Sequence, residues 1–131
     1  MKIISVSKDG DCFFSCLQQC QFPQKSVQTL RKEIVDYYLK LQTYRKTFDI
    51  SEEEVKDLYE NGCWNNNACD HIVKIACKKY NLVISLYLPE WEKKLIVRPD
   101  YQNKKLRSRL KPPKTISLRL LHDHYDIVHE I

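Results

Sequence analysis

Asp9-Gly10-Asp11-Cys12-Phe13-Phe14-Ser15-Cys16-Leu17, residues 9–17 of a 131-residue chain, passes from a polar turn to a helical apolar pattern at a cysteine. Phe13, Cys16, Leu17 and Cys20 fall at i, i+3, i+4 and i+7, which predicts one apolar helix face running to about Gln21. Ahead of the turn, Ile3, Ile4 and Val6 predict a short opening strand. A cysteine in the first turn of a helix sits among unpaired backbone N–H groups at the positive end of the dipole. Thiolate is favoured there, and thiolate is the nucleophile. Taken alone, Cys12 reads more simply as a small buried residue opening a helix.

Glycine is scarce. Average usage would give about 9 in a chain of this length, yet only Gly10 and Gly62 occur. Gly10 permits a tight turn just before Cys12 and lets nearby N–H groups face a developing oxyanion.

Downstream, Pro23 closes the first helical region and Ser26 caps a second helix with the stripe Val27, Leu30, Ile34, Tyr38 and Leu41. Ser51 and Glu54 have capping-box spacing ahead of Val55 and Leu58, a third helix that should stop at Asn61-Gly62. A loop from Cys63 to Asn67 leads to a fourth, facing inward through Cys69, Ile72, Val73, Ala76 and Tyr80 and ending at Asn81. Leu82–Leu88 is an apolar run that reads as a central strand; Lys94–Val97, the alternating Ile116, Leu118 and Leu120, and Tyr125–Ile131 read as others. Residues 102–114 read as an exposed basic loop. Helices first and strands later predict an α+β fold, one domain over residues 1–131, with a small, mostly antiparallel central sheet packed by helices.

The bulk composition narrows the classes. Charged residues make up 30% and the net charge is +5, too small an excess to argue for nucleic acid. No apolar run approaches the ~18 residues of a membrane helix, and the opening residues lack a secretory signal, so a cytoplasmic protein with free thiols is expected. Zinc is a poor fit for the six cysteines. Cys12 and Cys20 end a row roughly 12 Å long, too far for Zn–S bonds of about 2.3 Å to gather it into one site. No metal and no cofactor is therefore expected. Cys16, Cys20, Cys69 and Cys77 read as core. Lys104, Lys105, Arg107, Arg109, Lys111 and Lys114 form a basic run with no interleaved aromatic, which favours a solvated loop over a nucleic-acid surface.

The far end supplies a partner for Cys12. His124 and Asp126 share one side of a strand, so the carboxylate can orient the imidazole while its other nitrogen faces a thiol. His122 has the same parity but no carboxylate two residues on; His129 has the opposite parity, and His71, on a helix, is expected to be exposed. A bland polar turn remains the alternative for any one of these histidines alone.

Asp9-Gly10-Asp11-Cys12-Phe13-Phe14, Gly62-x-Trp64 before a helix, and His124-Tyr125-Asp126 together resemble the ovarian-tumour (OTU) family of cysteine proteases, in that family's order, over residues 9–126. The resemblance implies a papain-like OTU fold and a deubiquitinase that cleaves after a ubiquitin C-terminal glycine. It implies Cys12 as nucleophile, His124 as general base and Asp126 as its orienter. The Asp9–Asp11 loop, with Gly10 and the Cys12 N–H, would form the oxyanion hole. Trp64 would contact substrate or anchor its loop. Asn65 departs from the small residue many members carry there, and the chain is shorter than most family domains. A viral or bacterial pathogen protein, monomeric and acting in host cytosol, would suit this. The expected partners are ubiquitin or a ubiquitin-like modifier and its conjugates. A viral polyprotein-processing cysteine protease and a non-catalytic ubiquitin-binding OTU module are the alternatives.

Overall fold

Two serines begin helices where their hydroxyls predict. In the computed structural model, which describes residues 2–6, 10–60, 67–100 and 111–129, Ser26 Oγ accepts from the Thr29 N–H at 3.0 Å and opens α2 (Val27–Lys40). Ser51 and Glu54 close the expected capping box at the head of α4 (Glu52–Asp57). Before α2 lie β1 (Lys2–Ile4) and α1 (Cys12–Cys20). α2 buries Leu30, Ile34 and Tyr38 as its stripe predicts, and also Arg31 and Val35, which the stripe leaves out.

α3 (Gln42–Thr47) was not expected. Its sequence, QTYRKT, is polar, and no residue of it is fully buried, so it has no apolar stripe to reveal it. It also corrects the reading of His71 as exposed. The ring is half-buried, with Nδ1 2.9 Å from Tyr44 Oη of α3 and the Phe48 ring 4.7 Å away. His71 itself ends a 3-10 turn (Asn67–His71) that leads into α5 (Ile72–Tyr80). α4 ends at Asp57, with Leu58 as its C-cap, and the expected stop at Asn61-Gly62 lies outside the described residues.

Asn81, left-handed at φ 55°, turns the chain from α5 into β2 (Leu82–Leu88). β3 (Lys93–Val97), β4 (Lys114–Leu121) and β5 (His124–His129) complete a five-stranded sheet in the order β1-β5-β4-β2-β3. Three of its four pairings are antiparallel; β2 and β4 run parallel. The α+β class and the mostly antiparallel sheet therefore stand as read. β2 is interior, flanked on both sides, though β4 is the middle strand. β4 and β5 are joined by His122 (φ 50°) and Asp123 (φ 61°), the pair of left-handed residues a tight hairpin loop uses. The core joins Phe13 and Leu17 of α1, Ile34 of α2 and Ile75 of α5 to Ile84, Leu118 and Tyr125 of the sheet. Phe13 and Tyr125, with ring centroids 5.2 Å apart, fasten α1 to β5. That contact sets where the cysteine meets the last strand.

Candidate active site

Cys12 is the first residue of α1 and is 5% exposed. β1 pairs with β5 only as far as Ile127, two residues short of Tyr125. Beyond that point the Tyr125 N–H donates to Cys12 Sγ at 3.4 Å. The helix start is thus seated against the edge of the strand that carries the histidine.

Strand parity then operates as anticipated. Tyr125 turns into the core, while His124 and Asp126 project together, with His124 Nε2 2.9 Å from Asp126 Oδ1. That contact leaves Nδ1 as the ring nitrogen not engaged by the carboxylate. Asp126 is 2% exposed and has two further partners. Val6 N–H donates to Oδ1 at 3.2 Å and Arg119 Nη2 to Oδ2 at 2.7 Å, across the Arg119–Asp126 register of β4 and β5. Burial pushes this carboxyl's pKa up, but the Arg119 guanidinium, the Val6 amide and His124 outweigh it and hold the group below its ordinary value. Asp126 is an anion at neutral pH, fixed from three directions.

The turn before Cys12 is braced from below. Arg31, 1% exposed, ion-pairs through Nη2 with the Asp11 carboxylate and donates from the same nitrogen to the Gly10 carbonyl at 3.2 Å. Its Nη1 donates to the Leu58 carbonyl at 2.6 Å, and its guanidinium lies 4.5 Å from the centre of the Phe14 ring. Neither Arg31 nor Arg119 was singled out from sequence. An arginine between Leu30 and Lys32 looks like an ordinary basic helix residue, and Arg119 gains meaning only once β4 and β5 are in register.

The other histidines separate from the site. His122 is exposed in the hairpin turn beside Glu90, and His129 is exposed at the far end of β5, opposite Lys2. Of the other described cysteines, Cys16, Cys69 and Cys77 are core thiols and Cys20 is half-buried against the core. Burial pushes Cys77 up to about 12 and moves Cys16 and Cys20 upward too, so all three stay protonated and unreactive near neutral pH. All five described cysteines are free thiols. Among the described residues no cluster of histidine, cysteine and carboxylate side chains could hold a metal ion, and no helix is long and apolar enough to cross a membrane. The expectations placed on Asp9, Gly62, Cys63, Trp64 and Asn65 lie outside the described residues, as do those on Lys104, Lys105, Arg107 and Arg109.

No protein-family model matches the sequence, and no curated protein matches it. The fold is nonetheless similar to solved OTU domains. The OTU domain of OTUD1 superposes with a TM-score of 0.74 at 17% identity, over 98% of this chain and 85% of that one. An OTU deubiquitinase from Wolbachia pipientis wMel bound to ubiquitin gives 0.66 at 13% identity, over 98% and 95%. The viral OTU domain protease from Dera Ghazi Khan virus gives 0.66 at 16% identity, over 96% and 78%.

Proposed function

We propose that this chain, which has the fold of OTU domains, is a cysteine protease that removes ubiquitin or a ubiquitin-like modifier from proteins. One observation carries the chemistry: a strand presents a histidine oriented by a buried carboxylate, and the amide of the next residue touches the sulfur of a helix-opening cysteine. That arrangement supports a nucleophile, a base and an orienting group. The modifier is supported by the likeness to structures of OTU domains in complex with ubiquitin.

In this reading Cys12 Sγ attacks the carbonyl carbon of the scissile bond. As the S–C bond forms, the carbonyl π pair moves to oxygen and is stabilised by amide N–H groups of the Gly10–Cys12 turn. His124 Nδ1, holding the thiol's proton, passes it to the leaving amine as the C–N bond breaks. Water then attacks the thioester, giving one proton to His124; as the C–S bond breaks, His124 returns that proton to Cys12 Sγ, and the acid product loses its own proton to solvent as the carboxylate. Asp126 keeps the imidazole in one orientation and stabilises its protonated form throughout.

The test is ubiquitin bearing a thiol-reactive group at its C-terminus. A covalent adduct should form with the wild-type protein and none with Cys12→Ala. His124→Ala should lower turnover at least about 100-fold, while His129→Ala leaves it almost unchanged. Folded wild-type protein whose Cys12 stays unmodified would sink the proposal and favour a non-catalytic binding module.

A further inference from the structure

A buried arginine is costly unless its charge is paired, so Arg31 invites the question of what it holds in place. Its three acceptors are the Leu58 carbonyl at the end of α4, the Gly10 carbonyl and the Asp11 carboxylate. The last two belong to the turn that delivers Cys12.

Two consequences follow from simple geometry. A trans peptide points its C=O and N–H in opposite directions, and no described peptide is cis. With the Gly10 carbonyl drawn down onto Arg31 Nη2, the Asp11 N–H is turned the other way, away from α2. Asp11 is also the N-cap residue of α1, where an aspartate ordinarily accepts from the N–H groups of the first helical turn. Here it makes no such side-chain cap, because its carboxylate is committed to Arg31. One side chain therefore orients the Asp11 amide and keeps a competing anion off the N–H groups at the start of α1.

We propose that Arg31 is a positioning residue for the reaction: it builds the oxyanion hole by fixing the Gly10–Asp11 peptide and withholding the Asp11 carboxylate. This rests on the cysteine-protease reading above, and goes beyond it by assigning the hole's geometry to a buried side chain on a different helix.

The test compares two reactions of the same thiol. Hydrolysis of a fluorogenic amide at the ubiquitin C-terminus passes through an oxyanion. Alkylation of Cys12 by iodoacetamide is a displacement at saturated carbon and needs no oxyanion hole. Arg31→Lys keeps the charge and loses the fork that spans two carbonyls and a carboxylate. Its kcat should fall on the order of 100-fold, as for loss of an oxyanion donor, with KM and the alkylation rate each within about threefold of wild type. Wild-type turnover in Arg31→Lys would overturn the inference. Turnover and alkylation falling together would also overturn it, by making Arg31 a brace for the whole fold. If Arg31→Lys does not give a wild-type circular dichroism spectrum, Asp11→Asn decides by the same split, with kcat lowered and alkylation preserved; unchanged kcat, or a matched loss of both, rejects the inference. A wild-type enzyme inert to the substrate fails the function reading itself, and the inference with it.

Discussion

Asp126 is held by groups from three parts of the chain, and its titration gives a direct check on them. Its carboxyl lies below its ordinary value of 3.8 in the folded chain. The stabilisation it brings is therefore complete above the unfolded value and is lost as pH falls through the lower, folded one. Asp126→Asn should be less stable than wild type by about 1.5–3 kcal/mol at neutral pH. In urea denaturation that gap should narrow below about pH 4. A gap that does not narrow at all as pH falls through the acid range would mean the loss comes from packing, not from the charge. At this scale the residues readable in advance were those marked by local rules: Cys12 by the helix start, His124 and Asp126 by strand parity. Arg31, Arg119 and the Val6 amide act across elements, with Val6 and Asp126 120 positions apart, so nothing in their own neighbourhoods announces them.

Among the elements, α5 has an exit specified by a single residue. Asn81 adopts the left-handed conformation that ends α5, and its side-chain amide donates to the Lys111 carbonyl at 2.9 Å. Asn81→Ala should cost roughly 1–2 kcal/mol through the backbone conformation, whereas Asn81→Gly should cost much less. Equal losses in chemical denaturation would assign the effect to the Lys111 contact instead. Capped, striped helices such as α2 and α4 were readable because their ends and faces obey different local rules that agree. α3 was not, since it has neither an apolar stripe nor a side-chain cap. Nor could strand patterns show that β2 pairs parallel with β4, because alternation records which faces are buried and not which neighbour lies alongside.

Over the whole molecule, β1 and β5 bring the beginning and end of the described chain side by side, Lys2 opposite His129. Chain order predicted the class but not this closure, which depends on pairing between segments more than a hundred residues apart. Removing residues 2–6 deletes the edge strand and the Val6 donor to Asp126. A loss of ~3 kcal/mol would lower the melting midpoint by about 10 °C, and turnover should fall with it even at temperatures where the shortened protein is folded. Full turnover in the folded truncation would show that Arg119 and His124 hold the carboxylate without Val6. The Tyr125–Cys12 contact spans 113 positions, and that span also fixes when the site can exist. At synthesis rates of about 5–20 residues per second, β5 with His124 emerges roughly 6–23 seconds after Cys12. Through that interval the nascent chain carries Cys12 without His124, so under the proposed function a chain that ends before residue 124 should show no turnover.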